Sequence, residues 1–345
     1  MIIVKSKIKD YSVHFSERIS LEEDFFLIDR KVYALYNDIF ENVDISKIVL
    51  IDALEINKTY TACEKYIEAL ISLGLKRGNT IGAVGGGITQ DITGFISSIV
   101  FRGVDWNFYP TTLLAQCDSC IGGKTSINLG NYKNLVGNFN PPKKIVINES
   151  FLKTLSMKDI QSGLGEIIKI SVVDKKSRIA PAKIKMCLSE SSIDNETIKL
   201  ALQIKKEIIE IDEFDNGYRN VMNFGHTFGH AIESMTKFRI PHGVAVGLGI
   251  DIANKIALAD NYTDIDLDRD DVISVFKSKN AEHYETFRQF FDTDSFLNAL
   301  KSDKKNKNKD EIRCILARNK GDLSIVTYSE SNIRALIEKI DIENL

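Results

Sequence analysis

Before about residue 150 the apolar positions fall in short, dense runs broken by glycine, proline and charge. After it they return every three or four residues. The runs MIIVKSKI, YSVHFSERI, DFFLIDRKVYAL and KIVLIDA predict strands alternating with short helical pieces. TACEKYIEALISLGLKRGN has helical spacing and stops at Gly74 and Gly78. NTIGAVGGG predicts a buried strand running into Gly85, Gly86 and Gly87, ITQDITGFISSIVFRG a helix, and WNFYPTTLLAQ a strand leading into a loop. This order of strands and helices is that of a parallel, Rossmann-like α/β sheet. From about residue 155, SMKDIQSGLGEIIKISVVD, NETIKLALQIKKEIIEIDEF, GHAIESMTKF and HGVAVGLGIDIANKIALAD all carry helical periodicity. EIRCILARNKGDLSIVTY predicts a hairpin turning at Asn319-Lys320-Gly321, and SNIRALIEKI a closing helix. The expected organisation is an α/β domain over 1–150 and a mainly α-helical domain over 151–345.

The densest chemistry lies at 219–242, RNVMNFGHTFGHAIESMTKFRIPH, which holds three of the five histidines. NFGHTFGHAIE predicts a helix opening near Asn223, on which Arg219, Asn223, His226 and His230 share one face. His-x3-His lets two imidazoles reach one site, although such a pair also serves as a cap or a core hydrogen bond. The HExxH pattern is absent because Thr227 stands where its Glu would be. IPHG puts His242 in a loop or at the start of the next helix. GLGEIIK sets Glu166 and Lys169 one turn apart. Alone they read as an ordinary ion pair; with His226 and His242 a carboxylate would make a three-ligand zinc site with an open position.

Composition narrows the class. A chain of 345 residues is long enough for two domains, and a net charge of −3 gives no electrostatic case for nucleic acid. No apolar run approaches a membrane span of about 18–20 residues. The start lacks a signal-peptide core, and five cysteines point to a reducing compartment, so the cytoplasm is expected. Cys117-Asp118-Ser119-Cys120 has CxxC spacing without the context of a redox or zinc motif, and small-residue packing is expected.

GGGITQD follows a strand and offers backbone N–H groups to a phosphate at a helix start, or simply a tight turn; it is not GxGxxG. PTTLLAQ supplies two threonine hydroxyls. CDSCIGGKTSINLGNYKN gathers Asp118, Lys124, Asn128, Lys133 and Asn134 in a Gly-rich loop suited to a substrate rich in phosphate and hydroxyls. The basic run KSDKKNKNKDEIR is ordinarily a solvated loop.

GGGITQDITGF, FRG, PTTLLAQCDS, GGKTSIN, KNLVGNF, GLGEIIK, RNVMNFGHTFGHAIE and HG, in that order between about residues 50 and 325, resemble the 3-dehydroquinate synthase family of sugar-phosphate cyclases. The resemblance implies an N-terminal NAD-binding α/β domain, a helical metal-binding domain and a homodimer. It implies a carbon–oxygen lyase that converts 3-deoxy-arabino-heptulosonate 7-phosphate to 3-dehydroquinate. An alcohol is transiently oxidised by NAD, phosphate is eliminated, the hydride returns, and the opened ring closes by an aldol step.

Carried over by position, Glu166, His226 and His242 are implied as ligands of zinc (or cobalt). NAD contacts fall to Glu55, Lys58, Gly86, Gly87 and Asp91, and to Thr111, Thr112, Asp118, Lys133 and Phe151. Substrate positions fall to Lys124, Asn134, Lys169 and Lys205, to Arg219, Asn223 and His230, and to a lysine of SDKK, Lys304. Arg102 matches the arginine lent to the neighbouring subunit's phosphate. Arg219 and Asn223, with Lys205 as a second cation, favour an acid substrate.

The chain departs from the family pattern at three places: Asp215 stands for Glu, Val244 replaces the Glu of HGEAV, and Cys120 ends DSC in place of DSS. Losing the carboxylate at 244 removes a possible partner for His242. The alternatives are a cyclase for another heptulose, hexose or amino-sugar phosphate, an NAD- and metal-dependent alcohol dehydrogenase, and an inactive binding paralogue.

Overall fold

The computed structural model describes residues 1–130, 132–261, 267–302, 308, 311–319 and 322–342. The chain divides into two compact units, Met1–Leu155 with Lys205–Phe214, and Ser156–Ile204 with Asp215–Leu345.

The first unit is built on a seven-stranded sheet. Its strands are β1 (Ile2–Val4), β2 (Tyr11–Phe15), β3 (Phe25–Asp29), β4 (Ile48–Ile51), β5 (Thr80–Gly85), β6 (Asp105–Pro110) and, after a hairpin, β9 (Lys144–Ile147). The order is β1-β2-β9-β6-β5-β3-β4, with only the β1–β2 pair antiparallel. β3 is buried from Phe25 to Ile28, as the unbroken apolar run of a central parallel strand requires. Helices α1 (Arg30–Leu35), α2 (Tyr60–Ser72) and α3 (Gly87–Ile99) make the connections. The chain leaves β3 toward β4 on one side and returns as β5 on the other. Strand order therefore reverses at β3, the type of place where open α/β sheets bind ligands beyond their strand ends. Phe26, Ile28, Val84, Tyr109, Val146 and Phe151 form the core beside it.

Two stretches differ from the loops expected. GGKTSINLGNYKN forms most of an antiparallel hairpin, β7 (Lys124–Leu129) and β8 (Tyr132–Phe139), pairing Lys124 with Phe139 and Ile127 with Val136. Thr125 and Ile127 are buried while Lys124 is exposed and Ser126 and Asn128 are half-buried, the period-two pattern that the glycines obscured in the sequence, and the register shifts between Ile127 and Leu129. After β6 the chain makes a π-helical turn at Ala115–Ser119. The Gln116 amide, wholly buried, ties this turn down by donating to the carbonyls of Pro110 (3.0 Å) and Asn148 (2.9 Å).

The second unit is mainly helical: α4 (Met157–Val173), α5 (Pro181–Glu190), α6 (Asn195–Ile211, of which the part from Lys205 belongs to the first unit), α7 (His226–Met235) and α8 (His242–Ala259). α9 (Leu267–Lys279), α10 (Ala281–Phe290), α11 (Thr293–Lys301), the hairpin β10 (Glu311–Asn319) with β11 (Asp322–Ser329), and α12 (Glu330–Lys339) complete it. α8 is buried on nearly every face, as its apolar sequence requires, and α4 and α7 pack directly on it.

The helix expected from Asn223 is two pieces. Tyr218–Asn223 is a 3-10 turn, and α7 starts at His226 after Gly225. Gly225 has φ +77°, and a Cβ there would stand 2.6 Å from Ile250 and 2.7 Å from the Val246 carbonyl oxygen. The break lets α7 seat on α8. Arg219 and Asn223 therefore do not lie on one continuous helical face with the histidines.

Candidate active site

Glu166 sits in α4 directly after Gly165, and His242 opens α8 directly before Gly243. A Cβ on Gly165 would lie 2.0 Å from the Gly243 carbonyl oxygen, and one on Gly243 would lie 1.7 Å from the Ser162 carbonyl oxygen. Only glycine lets these backbones touch, and the contact brings Glu166 to His242. The Gly243 N–H donates to Ser162 Oγ at 3.0 Å, which fixes the register. His226 arrives as the first residue of α7, just past the Gly225 break.

Glu166 Oε1 is 3.2 Å from His242 Nε2 and 3.7 Å from His226 Nε2. Its other oxygen pairs with Lys169 Nζ at 2.5 Å, and both side chains are almost fully buried. Glu166, His226 and His242 each offer a ligand atom, all within 4.8 Å of one another. N and O ligands about 2.0–2.1 Å from a tetrahedral zinc stand about 3.4 Å apart. The separation to His226, 3.7 Å, is too long for a hydrogen bond yet suits two ligands of one ion. One buried carboxylate and two half-buried imidazoles, converging, fit zinc or cobalt.

The second ring nitrogens are also engaged. His226 Nδ1 lies 3.4 Å from the Phe224 carbonyl oxygen, and His242 Nδ1 lies 3.1 Å from Glu233 Oε2. The His230 ring stacks on His242 at 5.9 Å between centroids, with its plane perpendicular to that of His226 at 5.5 Å. Burial acts to raise the Glu166 carboxyl, but Lys169 and His242 outweigh it and hold it well below the ordinary range. For His242 burial works downward, and the Glu233 and Glu166 carboxylates overcome it, pushing the metal-free ring up to about 10.

Glu233 was missed in the sequence. The signal available was its place one turn after His230 in GHAIE, which puts it on the same face of α7 as both histidines. Val244 is fully buried; the carboxylate at Nδ1 of His242 is that of Glu233. Asp215 has φ +59°, a conformation that a short Asp tolerates better than Glu. Arg219 is buried and Asn223 half-buried in the turn that precedes α7.

In the first unit Lys58 is a buried hub. Its Nζ is 2.9 Å from Asp91, 2.5 Å from the Asn134 side-chain oxygen and 3.6 Å from Glu55. The Asn128 amide donates to Glu55 Oε1 at 2.9 Å, its oxygen accepts the Asn134 N–H at 2.9 Å, and Asp91 accepts the Ser126 N–H at 3.1 Å. Burial raises the Asp91 carboxyl against the pull of Lys58. The β7–β8 hairpin thus joins Glu55, Lys58, Asp91 and Asn134 into one network. A second buried pair links Lys205 Nζ to Asp118, 2.8 Å to its carboxylate and 2.6 Å to its carbonyl oxygen. Gly86 is the N-cap of α3 and Gly87 its first residue, at the end of β5; Thr111 and Thr112 follow β6.

Lys124 is exposed on β7 and Lys133 half-buried on β8. Phe151 is a core residue, packed edge-on to Tyr36. Arg102 is exposed in a turn where Phe101, Arg102 and Gly103 take φ of +52°, +65° and +121°. Lys304, with Lys320 and Gly321, lies outside the described residues. The five cysteines are buried and free, and burial pushes the Cys120 thiol up to about 12, in keeping with a packing role. Among the described residues no helix is long and apolar enough to cross a membrane.

Two family models match consecutive parts of the chain: 3-dehydroquinate synthase N-terminal over residues 48–162 and 3-dehydroquinate synthase C-terminal over 163–306. A 3-dehydroquinate synthase of Clostridium tetani is 35% identical, over 96% of this chain and 90% of that protein. One of Helicobacter pylori is 33% identical, over 98% of each. Among solved structures, 2-epi-5-epi-valiolone synthase from Streptomyces hygroscopicus subsp. jinggangensis 5008, with NAD+ and Zn2+ bound, has a TM-score of 0.83 at 22% identity, over 100% of this chain and 99% of that one. At that identity the likeness concerns the fold.

Proposed function

The chain belongs to the 3-dehydroquinate synthase family, and we propose that it converts 3-deoxy-arabino-heptulosonate 7-phosphate to 3-dehydroquinate with release of phosphate. The observation that carries this reading is the converging Glu166–His226–His242 set in a chain that follows both family models. When bound, zinc or cobalt supplies Lewis acidity at the substrate hydroxyls, and NAD+ takes up and returns a hydride.

The chain's own residues then have distinct tasks. Glu166 Oε1 and the Nε2 atoms of His226 and His242 hold the ion. Lys169, paired with Glu166 Oε2, keeps that carboxylate ionised. His230, half-buried against His242, takes or delivers protons at substrate oxygens. Arg219 offers a planar fork to the substrate carboxylate. For NAD+, Gly86 and Gly87 present the α3 N-terminus to the pyrophosphate, and Glu55, Lys58 and Asp91 hold the nucleotide's polar groups. A homodimer, with Arg102 completing the phosphate position of its neighbour, and a reducing cytoplasmic setting for the five buried thiols belong to the same reading.

The test is product analysis with heptulosonate 7-phosphate, sedoheptulose 7-phosphate and glucose 6-phosphate in parallel. The expected result is a cyclic keto acid from the first alone, abolished by a chelator and restored by zinc. Turnover of either carboxylate-free sugar phosphate in preference would replace the substrate while keeping the chemistry.

A further inference from the structure

His242 has a carboxylate at each ring nitrogen: Glu166 Oε1 at 3.2 Å from Nε2 and Glu233 Oε2 at 3.1 Å from Nδ1. A neutral imidazole carries one N–H, so it can donate to only one of them, and that choice decides whether Nε2 is a ligand or a donor. Glu166 Oε1 also faces His226, and Lys169 occupies its other oxygen. Glu233 is buried and belongs to α7, on the helical face that carries His226 and His230. His226 shows the same arrangement, with Nδ1 turned to the Phe224 carbonyl oxygen and Nε2 to Glu166.

We propose that Glu233 is the positioning residue of the metal centre: it accepts the Nδ1–H of His242 and so leaves the Nε2 lone pair aimed at the site shared by Glu166 and His226. This rests on the metal reading above. It also explains how the centre tolerates Val244: the partner of the ligand histidine comes from α7 across the α7–α8 contact, and the α8 position next to His242 stays apolar. Partners of this kind typically change metal affinity about 10–100-fold. Glu233 touches neither substrate nor metal in this role.

The experiment is zinc competition against a chromogenic chelator, using full-length protein stripped of metal, with Glu233→Ala, Glu233→Gln and His226→Ala. The ring nitrogens of His242 are followed by 15N NMR. Glu233→Ala should lose zinc affinity by about 10–100-fold at unchanged stoichiometry. Glu233→Gln, whose amide oxygen still accepts from Nδ1–H, should recover most of it. Wild-type His242 should be the Nδ1–H tautomer with zinc bound.

Several results overturn the proposal: an Nε2–H tautomer, wild-type zinc affinity in a folded Glu233→Ala protein, equal losses in Ala and Gln, or the disappearance of a second zinc that Glu233 ligates with His230. If Glu233→Ala does not fold, the tautomer and the Gln variant still decide. Undiminished zinc binding by His226→Ala would instead sink the metal reading itself.

Discussion

In the Glu166 cluster of the second unit, two imidazoles converge on one carboxylate oxygen: Glu166 Oε1 lies 3.2 Å from His242 Nε2 and 3.7 Å from His226 Nε2, the latter beyond hydrogen-bond reach. In the Lys58 cluster of the first unit the cation is built in, and Lys58 Nζ draws Asp91 and Asn134 to 2.9 and 2.5 Å. Their supports differ as well. Backbone contact at Gly165 and Gly243 fixes the first cluster, whereas the second hangs on side-chain hydrogen bonds to a hairpin. A cluster shaped for an external ion needs rigid, closely packed carriers, because its ligand atoms must keep their spacing when no ion is bound; a cluster around its own lysine is held by that cation and can be carried by a hairpin.

Removing a metal ligand should have the largest effect. His226→Ala should abolish zinc binding and lower turnover by about 1,000-fold or more, because several kcal/mol of Lewis-acid stabilisation are lost. NAD+ affinity, measured by calorimetry, should stay at the wild-type value.

Next comes the carrier. Gly243→Ala forces a Cβ to within 1.7 Å of a backbone oxygen, and should cost about 2–3 kcal/mol in denaturant unfolding, with weaker zinc binding. Gly87→Ala, whose Cβ meets nothing nearer than 3.8 Å, should change stability by less than about 0.5 kcal/mol.

Lys58→Met tests the other side. It removes charged hydrogen bonds worth about 1.5–3 kcal/mol each, so NAD+ should bind about 10–100-fold more weakly while zinc affinity is unchanged. Loss of zinc in this variant would end the distinction between the clusters.

The smallest effect concerns protons. In the metal-free protein His242 titrates at about 10, raised from 6.5. Its proton stabilises the folded form fully below 6.5, and that stabilisation is lost as pH rises through about 10. Zinc must displace this proton, so calorimetry at pH 7.5 in buffers of different ionisation enthalpy should show about one proton released per zinc. The zinc-bound protein should lack the alkaline slope in stability.

Much of this was legible in the chain. The convergence of Glu166, His226 and His242 was readable because a carboxylate and two imidazoles stand in GLGE, FGH and HG. The β3, β5 and β6 runs marked a parallel sheet because strands buried on both faces are apolar throughout. The helix drawn through Arg219 and His230 failed at Gly225, where a tertiary contact with Ile250 and Val246 decides the backbone. The hairpin holding Lys124 and Asn134 looked like a loop because glycines and polar residues dominate it, while only Thr125 and Ile127 carry its inward face. Glu233 was overlooked since its meaning depends on His242, nine residues on and in another helix.

Return of the hydride is tested by a time course of phosphate release from heptulosonate 7-phosphate with zinc and NAD+ at a small fraction of the substrate concentration, with absorbance at the NADH band followed alongside. A cyclase that returns its hydride predicts many phosphates per NAD+ and no net NADH at completion. Phosphate release that stops at one equivalent of NAD+, or NADH that accumulates in step with turnover, would contradict it and mark the chain as a net dehydrogenase.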